Sequence, residues 1–147
     1  MSWVRIWVHL VFCTKNREPF LEKNIRAKVF EHIKANAESK KIWLDCVNGY
    51  SEHAHCLISL GRDQSISEVA HLIKGESSFW INKNKLTRSK FMWQDDYWAI
   101  SVGENRLKDT RNYILNQEAH HSRTTFKQEV DEFMEKYGLD IIADNNQ

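Results

Sequence analysis

Alternation of apolar and polar positions marks the first element. Val4, Ile6, Val8, Leu10 and Phe12 fall on one side of an extended segment and Trp3, Arg5, Trp7, His9 and Val11 on the other, so one face is uniformly apolar and the other mixed. The same division recurs twice. In 42–47, Ile42, Leu44 and Cys46 oppose Trp43, Asp45 and Val47; in 53–60, Ala54, Cys56, Ile58 and Leu60 oppose His53, His55, Leu57 and Ser59. Such strands predict an antiparallel sheet with one face packed on helices and the other free for binding and chemistry.

A fourfold spacing of Ile25, Val29, Ile33 and Ala37 predicts a helix over 24–40 with a single apolar stripe. Asn48 to Ser51 supply a tight turn between the second and third strands. Ser65 and Glu68 form a Ser-x-x-Glu cap, and Ile66, Val69, Ile73, Trp80 and Ile81 form the stripe of a second helix. Residues 97–102 read as the last strand. The resulting β-α-β-β-α-β order predicts an α+β, ferredoxin-like antiparallel sheet. Beyond Gly103 a helix is expected from about 105 to 121, and a last amphipathic helix over about 125–136, ended by Gly138. The chain thus reads as one domain over 1–147: a core of 1–103, the two C-terminal helices within 104–138, and a tail of 139–147 whose end, 144–147, is expected to fray.

Composition narrows the possibilities. The chain has 147 residues and a formal net charge of +1, which permits one domain with a sizeable core but no global basic field. Any nucleic-acid contact must therefore come from local patches, such as Lys83, Lys85, Arg88 and Lys90 in the polar stretch 82–90, which reads equally well as a solvated loop. Phe91, Trp93, Tyr97 and Trp98 follow it, with core packing the commoner fate of such residues and base stacking the alternative. Cys13, Cys46 and Cys56, widely spaced in apolar runs, are expected to be buried free thiols in a reducing cytoplasm. The opening apolar run is short and interrupted by Arg5 and His9, so it is expected to be a strand and not an export or membrane segment.

Candidate chemistry lies in two stretches. His53 and His55 alternate with Ala54 and Cys56, so on a strand the two imidazoles project from one face roughly 6.6 Å apart and can close on one metal ion. Tyr113 and Gln117 are four apart in a helical pattern, so the hydroxyl and the amide share a side, offering a nucleophile and an oxygen ligand. Leu107, Ile114 and Leu115 define an apolar direction away from Tyr113, whereas Arg106, Asp109, Gln117 and His120 share the tyrosine's side.

These stretches carry a family resemblance. With the turn from Thr14 to Pro19, Lys74-Gly75 in the second helix and the Tyr-Ile-x-Asn-Gln run at 113–117, nearly the whole chain resembles the small single-tyrosine transposases of the HUH endonuclease superfamily, which move insertion sequences as single-stranded DNA, and their repeat-associated relatives. It departs from them in carrying Ser51 and Glu52 where members often have Pro-Asp or a similar pair. The resemblance implies that His53, His55 and Gln117 are metal ligands and that Tyr113, on the C-terminal helices, is the nucleophile of a single-stranded DNA endonuclease and strand transferase. It also implies a hairpin-bearing single-stranded DNA substrate, and a homodimer in which the tyrosine helix acts in trans.

The chemistry fits those residue types. A phenol of pKa near ~10 is a poor nucleophile at neutral pH and needs a cation on the scissile phosphate. Two neutral imidazoles and an amide leave positions for phosphate oxygens, which suits Mg²⁺ or Mn²⁺. Arg5, Trp7 and Lys74 join the basic loop as candidate DNA contacts. Two readings compete with a transposase: a single-stranded nucleic-acid binding module without catalysis that uses Trp3, Trp7 and Trp43, and a domesticated nuclease with the same site.

Overall fold

The computed structural model describes residues 1–139; the tail from 140 onward, with the fraying expected at 144–147, lies outside the described residues. The chain divides into two compact units, Met1–Gln117 and Glu118–Gln147. The first holds β1 (Ile6–Cys13), α1 (Lys23–Ser39), β2 (Trp43–Gly49), β3 (His53–Leu60), α2 (Ile66–Lys83), β4 (Trp98–Val102) and α3 (Leu107–Leu115). Its strands form one antiparallel sheet in the order β2-β3-β1-β4, the ferredoxin-like arrangement expected from the hydrophobic pattern.

Strand alternation decides what each face buries. Leu10, Phe12, Ala54, Cys56 and Ile58 pack with Val29, Phe30 and Ile33 of α1 and Val69, Ala70 and Ile73 of α2. Phe91 and Trp93 belong to this core, and Trp93 donates its indole N–H to Ser77 Oγ at 2.9 Å, so neither ring is offered to a base. The opposite face carries a smaller cluster of Trp7, Cys46, Leu57, Leu107 and Ile114, on which α3 rests. α2 begins at the expected cap, where Ser65 Oγ accepts from the Glu68 backbone N–H.

The regular alternation expected for β2 fails at one point. Leu44 pairs with Ile58 but Cys46 pairs with Leu57, so Asp45 is an extra residue in a β-bulge. Beyond it every side chain changes face: Val47 packs toward α1 and α2, while Cys46 joins the α3 cluster.

Gly49 ends β2 where β3 crosses closely. A Cβ there would collide with the His53 carbonyl oxygen and lie 2.9 Å from Ala54 Cα. Gly49→Ala is therefore expected to push the start of β3 away and destabilise the chain by about 1–3 kcal/mol in urea unfolding. A change below about 0.5 kcal/mol would show that the strands separate at little cost.

The second unit takes up α4 (Gln117–His121) after its first residue, and the chain passes through a turn into α5 (Phe126–Tyr137). Thr125 and Gln128 form a reciprocal capping box, and Gly138 ends α5 at φ 60°, as its position in the sequence predicts. Among the described residues no helix is long and apolar enough to cross a membrane.

Candidate functional site

Sheet register brings three histidines to the α3 side. His55 pairs with Val11 and Asn48, His53 with Cys13, and His9 with Leu57, so their side chains share one face. His9 Nε2 lies 2.8 Å from His55 Nδ1, and Glu52 Oε1 accepts from His53 Nδ1 at 2.7 Å. Each ring is thereby held through Nδ1, which directs Nε2 away from the partner that fixes it. A ring nitrogen of His53 and one of His55 lie within 4.8 Å of each other, and both residues are fully buried.

The bulge in β2 is what seats the helix above them. Asp45 accepts a two-pronged contact from Arg111 of α3, at 2.7 and 3.1 Å. Asn48, turned to the same face, donates to the carbonyls of Ile114 and Leu115 at 3.0 and 3.2 Å. Those are carbonyls of the last turn of α3, which a continuing helix would have bonded to later N–H groups. The single helix expected from 105 to 121 is accordingly broken. A short 3₁₀ turn, Glu104–Arg106, precedes α3, and Asn116, at φ −99° and ψ 25°, separates it from α4.

Tyr113 is half-buried, its ring 5.6 Å from that of His55 and 6.2 Å from that of His9, both edge-on. The tyrosine therefore faces the histidines, while Arg106 and Asp109 on its side of the helix are exposed. Gln117 is fully buried. Its Nε2–H donates to the Tyr113 carbonyl at 3.2 Å, which turns Oε1 toward His53 Nε2 at 3.0 Å. Thus His53, His55, Tyr113 and Gln117, chosen from sequence, converge within one chain. His9 and Glu52 complete the constellation, and sequence reasoning did not include them. His9 sits on the mixed face of β1, but only the β1–β3 register shows that it reaches His55.

The electrostatics follow from the contacts. Arg111 holds the Asp45 carboxyl below its usual range through its hydrogen bonds and charge. Burial pushes the Cys46 thiol up to about 12 and the Cys56 thiol higher still, so neither supplies a thiolate ligand at neutral pH. All three cysteines are free and buried.

Of the other candidate contacts, Trp7 belongs to the cluster against which Tyr113 packs. Arg5 pairs with Glu104 and stacks over Trp7, whose indole N–H donates to Glu104 at 3.2 Å. At 7% exposure Trp7 cannot stack on a base, unlike Trp3 and Trp43 at 85% and 68%. Lys74 donates to the Asp95 carbonyl at 2.7 Å from α2, across the sheet from the imidazoles. Lys83, Lys85, Arg88 and Lys90 are exposed at the end of α2 and in the loop after it.

A sheet of this topology with a histidine pair under a tyrosine-bearing helix defines a class that the comparisons recognise. The family described as "Transposase IS200 like" matches residues 2–117, and the chain belongs to that family. In fold it is similar to a candidate transposase from Deinococcus radiodurans R1, at 18% identity and TM-score 0.64, covering 79% of this chain and 93% of that one. It is also similar to a REP-associated tyrosine transposase bound to a REP hairpin, at 16% identity and TM-score 0.52, covering 80% and 67% of the two chains. The comparison with curated proteins gives no match.

Proposed function

We propose that this transposase cleaves and rejoins single-stranded DNA at hairpin-bearing ends, with Tyr113 as nucleophile and His53, His55 and Gln117 holding Mg²⁺ or Mn²⁺. The observation that carries the reading is the meeting of His53 Nε2 and Gln117 Oε1 at 3.0 Å. Glu52 holds His53 through Nδ1 and the Tyr113 carbonyl accepts from the Gln117 amide N–H, so Nε2 and Oε1 are aimed at one another. Adjacent ligands of an octahedral ion with bonds of roughly 2.0–2.1 Å stand about 3.0 Å apart, which is the separation of these two atoms. The donor set therefore fits a divalent ion, and the absence of a carboxylate among the three leaves room for phosphate oxygens.

When bound, the ion would polarise the scissile phosphate and offset its developing charge. The phenol oxygen of Tyr113 attacks phosphorus; the tyrosine O–P bond forms as the P–O3′ bond breaks, and the released strand leaves as a 3′-hydroxyl. Attack of a 3′-hydroxyl on the 5′-phosphotyrosine reverses these bonds and frees the phenol, so no nucleotide cofactor is consumed. His9 and Glu52 hold the two imidazoles in orientation throughout. Support for a hairpin comes from the REP-bound relative, and support for DNA from the family. The exposed cations of 83–90 are proposed strand contacts, in a protein acting in the cytoplasm.

The test is covalent capture of a labelled hairpin-bearing strand, read as a slower band on a denaturing gel. An adduct is expected with Mg²⁺ or Mn²⁺ and none with chelator; an adduct of equal yield in chelator would overturn the metal assignment. Because one chain brings Tyr113 to its own histidines, a mixture of Tyr113→Phe and His53→Ala chains should stay inactive. Restored capture in that mixture would instead establish the homodimer with a tyrosine helix working in trans.

A further inference from the structure

The second unit, taken by itself, gathers three ligating side chains that the strand-cleavage reading does not use. His120 and His121 close α4, and Glu129 stands in the first turn of α5. Both Nε2 atoms lie 3.0 Å from the same carboxylate oxygen, Glu129 Oε2. The two rings stand 5.0 Å apart at 85°.

Neighbouring residues on a helix point about 100° apart, so two consecutive imidazoles seldom converge on one atom. Here they do because the chain reverses at once. The N–H groups of Arg123 and Thr124 both bond to the His120 carbonyl at 3.1 Å, and the Thr125–Gln128 box then starts α5 with Glu129 beside it. The arrangement also differs from a surface ion pair, since the side chains of His121 and Glu129 are each only 2% exposed.

We propose that His120, His121 and Glu129 form a second metal site, for a transition ion of the Zn²⁺ type, fastening the end of α4 to the start of α5. One ligating atom from each lies within 4.8 Å of the other two. In a tetrahedral site with bonds of roughly 2.0–2.2 Å the ligating atoms stand about 3.3 Å apart, so the 3.0 Å separations need only small adjustments. Two imidazoles and one carboxylate, with a fourth position for water, make a ligand set that suits Zn²⁺. Its three proposed ligands are other than the His53, His55 and Gln117 of the strand-cleavage reading.

Titration of the full chain carrying His53→Ala and His55→Ala with Co²⁺, followed by absorption and then displacement by Zn²⁺, tests it. One equivalent is expected to bind in tetrahedral form. Adding Glu129→Gln, or His120→Ala with His121→Ala, should weaken binding at least about tenfold, with circular dichroism showing that each variant is folded. No saturable signal in the folded parent variant, or a signal unchanged by these substitutions, overturns the proposal. A wild-type chain that fails to capture DNA, tested beside a parent variant that binds Co²⁺ as expected, would count against the strand-cleavage reading alone.

Discussion

Tyr113→Phe is expected to abolish covalent capture of DNA, with the rate falling by at least about 10⁴-fold, because the substitution removes the oxygen proposed to form the phosphotyrosine bond. The phenyl ring keeps its edge contacts with His55 and His9. The thermal midpoint should therefore move by no more than a few degrees, the cost of one hydroxyl. Strand binding should persist, since the exposed cations at 83–90 are untouched. A Tyr113→Phe chain that still forms the adduct at the normal rate would place the nucleophile elsewhere.

A graded pair of substitutions around the histidines should separate holding an ion from orienting its ligands. His53→Ala removes a ring nitrogen that faces Gln117 and should eliminate metal-dependent cleavage, a loss of at least about 10³-fold, at any attainable Mn²⁺ concentration. Glu52→Gln keeps the ligand but weakens its anchor at Nδ1, and should raise the Mn²⁺ requirement about 10–100-fold while leaving the rate at saturating metal near normal. The two are read by measuring capture against Mn²⁺ concentration. Equal curves for Glu52→Gln and the parent chain would show that the carboxylate does not position the ring.

How far the sequence revealed this arrangement depended on whether each feature was local. Strand and helix order followed from periods of about 2 and 3.6 residues, and the cap at Ser65 from short-range hydrogen bonding, so both were legible. The bulge at Asp45 was not, because the apolar residues on either side continue an acceptable alternation when counted without it. Nor was the break at Asn116: α3 ends there partly because Asn48, distant in sequence, occupies the carbonyls of its last turn. The side of the helix bearing Tyr113 and Gln117 was identified as polar, but a polar side can face a polar sheet as readily as water. His9 stayed invisible for the same reason, since a histidine on a mixed strand face acquires meaning only from the strand beside it.

The extra residue in β2 separates foldability from chemistry. A chain lacking Asp45 would keep Leu44 opposite Ile58, Cys46 opposite Leu57 and Asn48 opposite His55, and so the sheet on α1 and α2, yet it would leave Arg111 without its carboxylate. Such a deletion should give a protein that still builds its main core but holds the tyrosine helix through Asn48 alone. Aligning this strand with its relatives by apolar rhythm alone would conceal that loss.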